Sequence, residues 1–213
     1  PIVDQWANDF KREILKRYPD CPYNPPVFRF VPTIDIDNSF AYRHKGIFTG
    51  AYCMGRDILR GRFREAFTRF KVLFRINPDP FFKYRFMSDV HDHYDAFPLY
   101  FIHRGPYGKY DRKTHFPSMS ERKYIRELSR FSVAGIHPSY KASFSEKMIK
   151  KEIGRLENIT KKKVIISRFH YIRLHMPESY RILESCGIKR DYSMGYATQI
   201  GFRAGTSFPF PFY

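Results

Sequence analysis

The chain has 213 residues, 43% of them hydrophobic, and carries a formal charge of +17 with a pI near 9.8. That length and apolar content suit one large domain with a real core. The charge favours anionic partners such as nucleic acid, acidic glycans or membrane surfaces, and it says nothing about fold. Cys21, Cys53 and Cys186 are odd in number and far apart, which excludes a disulfide framework or a cysteine zinc motif. A reducing, cytoplasmic setting is therefore expected. No run approaches the roughly 18 apolar residues that a membrane span needs.

In chain order, Trp6, Phe10, Ile14 and Leu15 fall at helical spacing between Asp4 and Tyr18, and Pro19 stops that helix. The turn-rich segment 21–26 completes a lead-in of residues 1–26. Val27 to Asp37 then reads as the first core strand, rich in β-branched and aromatic residues. Ile47 to Arg75 predicts one or two basic helices broken near Gly61 and ended at Asn77-Pro78. Lys83 to Tyr94 predicts a helix, and Phe97 to Ile102 a second strand that Gly105-Pro106 follows. Ser118 to Phe131 has a capping box from Ser118 to Glu121. Val133 to Ile136 is expected as a strand, and Ser143 to Asn158 as a helix with a second box from Ser143 to Glu146. Val164 to Ile166 predicts a strand, and Pro177 to Cys186 a helix closed by Gly187. Ile188 to Asp191 and Gln199 to Phe202 complete the expected strands.

Strand and helix in alternation argue for α/β architecture with a parallel sheet or barrel, as one domain over residues 27–213. Polar residues recur where the predicted strands end. Asp35 and Asp37 close the first, His137 the third, Arg168 and His170 the fourth, with Asp191 and Arg203 later. Parallel barrels build active sites at that end. Residues i and i+2 of a strand share a face, so Asp35 and Asp37 can enter one pocket. A cation relieves the repulsion between two such carboxylates, which suggests a metal ligand beside a general base.

Several of these stretches resemble motifs of the polysaccharide deacetylases of NodB homology. Thr33-Ile34-Asp35-Ile36-Asp37 resembles their first motif, in the variant with one residue between the aspartates. Gly135-Ile136-His137-Pro138-Ser139-Tyr140 is similar to the second, and Arg168-Phe169-His170-Tyr171 to the third. Asp191 to Tyr196 and Gly201 to Gly205 resemble the region that buttresses the pocket. The resemblance implies a distorted (β/α) barrel with a divalent metal, usually zinc, acting on an acetylated carbohydrate. It implies Asp35 as general base with Arg168 against it, Asp37 and His137 as metal ligands, and Tyr140, Asp191 and Arg203 on the substrate side.

The chain departs from that pattern in three ways. Lys141 stands where a second histidine is usual, and an ammonium is no metal ligand. His170 stands where proline is common and is expected to supply the missing imidazole. The family's catalytic-acid histidine would lie beyond Tyr213. The chain starts at Pro1 and stops after a Phe-Pro run, so both ends read as cut, and residues 1–213 alone are expected to be weakly active, with His115 the best internal substitute.

Other clusters have plainer readings. His91-Asp92-His93 looks like a metal cluster, but alternate residues of a helix diverge, so a surface patch is expected. Lys147, Lys150, Lys151, Arg155 and Lys161 to Lys163, interspersed with Glu146, Glu152 and Glu157, read as a solvated helix face. His103 and His175 have no evident partner in the sequence. A non-catalytic basic module binding anionic glycan or nucleic acid stays open, although no nucleic-acid-binding signature is present. So does a metal-dependent amidohydrolase acting on a small molecule.

Overall fold

The computed structural model describes residues 1–111 and 118–212. Five strands form one sheet in the order β1-β2-β3-β4-β5, every neighbouring pair parallel. They are β1 (Thr33–Ile36), β2 (Leu99–His103), β3 (Val133–His137), β4 (Ile166–Ser167) and β5 (Arg190–Asp191). The helices are α1 (Ile2–Arg17), α2 (Ile47–Leu59), α3 (Phe63–Leu73), α4 (Tyr84–His93), α5 (Met119–Phe131), α6 (Glu146–Thr160) and α7 (Glu178–Ser185). The break in the basic helical stretch falls at Gly61, whose φ of +69° no side-chain-bearing residue adopts cheaply.

The strand pleat sorts the residues into two faces. Tyr100, Ile102 and Ile136 point to one side and pack with Ile125 and Leu128 of α5, Ile149 and Leu156 of α6, and Leu183 of α7. These side chains are almost completely buried, and each is worth about 1.5–3 kcal/mol relative to exposure. The other face is built differently. Thr33 and Asp35 of β1, Phe101 and His103 of β2, and Gly135 and His137 of β3 alternate with the core residues. Gly135 has to be glycine, because a Cβ there would lie 2.6 Å from Ile166 Cγ1 and 2.9 Å from Phe101 Cδ1.

Arg168, just past β4, reaches Thr33 and Asp35 on β1 although two strands lie between them. Flat strands stand about 4.8 Å apart, so one side chain bridges that gap only if the sheet curls around its polar face.

Three expectations fail locally. The apolar run from Val27 forms a strand only from Thr33 onward, and Val27 and Phe28 are 76% and 89% exposed. Residues 199–202 form no strand, and Ile200 lies in solvent. The cap of α6 is Ser145 rather than Ser143: Ser145 Oγ accepts from Met148 N, while Ser143 sits in the preceding 3₁₀ turn, Ala142–Phe144. At α5, Ser118 Oγ does accept from Glu121 N. The Glu121 side chain turns inward instead, to a buried pair with Arg104 at 3.0 Å. The lead-in helix α1 is tied back to the C-terminal segment, where Val3 N donates to Gly205 O and Asp4 accepts from Thr206 and Ser207.

Candidate metal centre

Three side chains meet on the polar face beyond the strand ends. Asp37 Oδ1 lies 3.2 Å from His137 Nε2 and 3.4 Å from His170 Nδ1. The two histidine nitrogens are 2.9 Å apart. Asp37 follows β1 directly, His137 ends β3, and His170 opens the 3₁₀ turn after β4. The ligand-type atoms of the three all lie within 4.8 Å of one another, so they satisfy the reach of one ion.

The other ring nitrogens fix the chemistry. His137 Nδ1 donates to Arg168 O at 2.6 Å, and His170 Nε2 donates to Tyr110 O at 3.3 Å. A neutral imidazole that donates from one nitrogen presents a lone pair at the other. Two lone pairs and a carboxylate oxygen therefore converge on one point. That arrangement is repulsive unless a cation sits among them, either a proton shared by the rings or a metal ion. A cation among these groups also acts on Asp37: burial alone would push its carboxyl up, while a hydrogen bond and positive charge at His137, then charge at His170 and His103, hold it below its ordinary value.

A surrounding shell holds these residues. His103 is 3% exposed; its Nδ1 donates to His137 O, and its ring lies 5.3 Å from that of His170. Asp111 accepts from Tyr140 N at 2.8 Å. Glu152 of α6 accepts from Ser139 N and Ser139 Oγ, pinning the loop after His137, and its burial pushes its carboxyl up. Gly105 packs so closely there that a Cβ would fall 2.3 Å from Ser139 Cβ. Glu152 thus belongs to the interior rather than to the solvated lysine face, on which Lys147, Lys150 and Lys151 do lie.

Asp35 and Arg168 meet as expected, but through one arm of the guanidinium. Arg168 Nη1 lies 3.3 Å from Asp35 Oδ1, Nη2 donates to Thr33 Oγ1 at 2.8 Å, and Nε donates to Tyr192 O at 3.1 Å. Its guanidinium carbon also sits 4.8 Å from the Phe101 ring centre. Asp35 stays partly exposed to water.

Beside His170 three tyrosines form a wall. Tyr140 packs against Tyr110 with ring centres 4.3 Å apart and planes tilted by 32°, and Tyr171 is edge-on to both. Tyr171 and Ile172 have φ of +57° and +52°. Left-handed backbone costs about 1–2 kcal/mol per residue, and here it turns the Tyr171 ring onto His170. Asp191 accepts from Ser167 Oγ, Ser193 N and Ser193 Oγ, which makes it a support of the 191–193 turn. Burial pushes its carboxyl up. Arg203 is exposed, and its charge acts on the Tyr180 hydroxyl rather than on the Asp37 cluster.

His103 and Asp111 were not legible as site residues, because their partners are distant in sequence. His103 carried one signal: it is the polar residue at the end of β2, in line with Asp37 and His137. His91 and His93 do not join a ligand cluster among the described residues, and His115 lies outside them. Compared with family models and with curated proteins, the chain matches none.

Proposed function

We propose that the protein is a metal-dependent deacetylase that removes N-acetyl or O-acetyl groups from a carbohydrate, on a (β/α) barrel of the resembled type with β1 to β5 as consecutive staves. The observation that carries this reading is the convergence of Asp37, His137 and His170 beside the Asp35–Arg168 pair. Those three residues would hold a divalent cation, zinc suiting one carboxylate and two imidazoles. Such a cation supplies positive charge that polarises a carbonyl oxygen and makes a nearby water more acidic.

The chain's own residues supply the rest. Asp35 is open to water and takes the proton of the attacking water as general base. Arg168 orients Asp35 through Nη1, and is itself held by Thr33 and Tyr192. The carbonyls of Arg168 and Tyr110 keep both imidazoles in the tautomer that offers a lone pair. The exposed ring of Tyr171, beside the Tyr110–Tyr140 pair, suits the C–H face of a sugar ring, whereas Asp191 acts by positioning the turn above β5.

The test is Asp35→Asn. It should retain the metal while acetate release from N-acetylated oligosaccharides falls by about 10²–10⁴-fold. Loss of the metal in that variant would mean that the roles of Asp35 and Asp37 are reversed. Two features favour the second reading, a basic binding module without catalysis: Lys141 stands where the resembled motif has a histidine, and the net charge is +17. Metal-independent polyanion binding that weakens steeply with salt would select it.

A further inference from the structure

The helical hairpin of α2 and α3 presents large apolar side chains to solvent, and no residue of it belongs to the Asp37 cluster. Along α2, Ile47, Phe48 and Leu59 are 88%, 92% and 89% exposed. Along α3 and its C-cap, Phe63, Phe67 and Phe74 recur at helical spacing and are 67%, 58% and 66% exposed. The side of each helix that faces its partner is filled by smaller or charged groups: Gly50 against Leu73, and Asp57 paired with Arg69 at 2.8 Å. Burial of the stripes inside the hairpin is therefore not the reason for their sequence pattern. Six large side chains on two consecutive helices exceed the scattered exposure normal for a soluble surface.

The charge around the stripes selects what covers them. Residues 47–75 hold seven basic and two acidic side chains, and Asp57, one of the two, is buried and spent on Arg69. Arg60, Arg62, Arg64 and Arg75 are exposed. A second copy of this face would bring like charges together, which disfavours self-association. The side chains also project outward rather than lining a groove, so they are shaped to enter a soft apolar layer. Aromatic and aliphatic residues flanked by arginines on an amphipathic helix fit the boundary between headgroups and acyl chains.

We infer that the α2–α3 hairpin docks the protein on an anionic lipid surface, with these side chains inserted among the acyl chains and the arginines on the headgroups. No helix of the described residues is long and apolar enough to cross a membrane, so the contact is peripheral. This inference is independent of the metal centre and stands or falls without it.

The experiment is co-sedimentation of the purified chain with phosphatidylcholine vesicles, with and without about 30% phosphatidylglycerol, at low and high salt. Binding to the anionic vesicles that weakens with salt is expected, with little binding to neutral ones. The variant Phe48→Ser/Leu59→Ser/Phe67→Ser should bind at least about tenfold more weakly, with an unchanged circular dichroism spectrum. The second variant, Arg60→Glu/Arg64→Glu, should lose the preference for anionic lipid while keeping the apolar stripes. Absence of binding to anionic vesicles would overturn the inference. So would wild-type binding by the triple variant, or a dimer in sedimentation that the triple variant converts to monomer.

Discussion

Arg168→Lys isolates what the guanidinium fork contributes from what its charge contributes. The wild-type side chain donates to Tyr192 O, Thr33 Oγ1 and Asp35 Oδ1, and covers the Phe101 ring. An ammonium reaches one of these acceptors and loses the planar stacking. Two of the three donor contacts are then lost, at about 1 kcal/mol each for a side chain that keeps some solvent. The Asp35 pair is partly exposed and is worth under about 1 kcal/mol. The ring contact adds about 0.5–1 kcal/mol. With one of the three acceptors kept, the two lost donors and the ring contact together cost about 2–3 kcal/mol, a fall in Tm of roughly 4–12 °C for a chain of this size. Urea unfolding followed by far-UV circular dichroism measures it as a lower midpoint at constant slope. A loss under about 1 kcal/mol would show that Arg168 does not staple β1 to the β4 and β5 ends, and would refute the argument for a curled sheet.

Gly135→Ala should destabilise by about 1–3 kcal/mol or more, because its Cβ meets Ile166 and Phe101 well inside contact distance; a melting temperature equal to wild type would contradict that packing. Asp79 is almost fully buried. Burial alone would raise its carboxyl, but backbone N–H groups of Ala41, Tyr42, Arg43 and Phe81 bond it and hold it below its ordinary value. A depressed carboxyl contributes stability above its unfolded pKa and loses it as pH falls through the folded value. Asp79→Asn should therefore cost about 2–4 kcal/mol near pH 7, with the deficit shrinking below about pH 4. A deficit independent of pH would show that the ionised carboxyl is not what orders residues 41–43.

The parts of the fold that were readable in the sequence are those set by local chemistry. Pro19 and Gly61 end helices where they stand, and Gly135 and His137 lie on a strand that the apolar run already marked. Asp37, Arg168 and His170 were legible because each follows a strand end, and Asp35 because it shares a strand face with Asp37 two residues on. What was not legible depends on partners far along the chain. Val27 to Val31 has a strand's composition but no neighbour to pair with among the described residues, so apolar pattern alone misleads there. Ser143 has the capping-box spacing to Glu146 and Ser145 does not, yet the 3₁₀ turn Ala142–Phe144 puts Ser145 at the cap. Glu152 looks like one more charge on a lysine-rich helix, yet its phase on α6 aims it at Ser139. His103 acquires its place only when β2 is laid between β1 and β3.

The claim on which the functional account rests is that Asp37, His137 and His170 bind one divalent cation. Calorimetric titration of the chelator-treated protein with zinc measures it directly. The account predicts one equivalent bound, with proton release as ligands deprotonate, and an affinity at least about 100-fold weaker in both Asp37→Ala and His170→Ala, since even outer-shell partners of metal ligands cost about 10–100-fold. No saturable binding by the wild-type chain, or unchanged affinity in either variant, would contradict it.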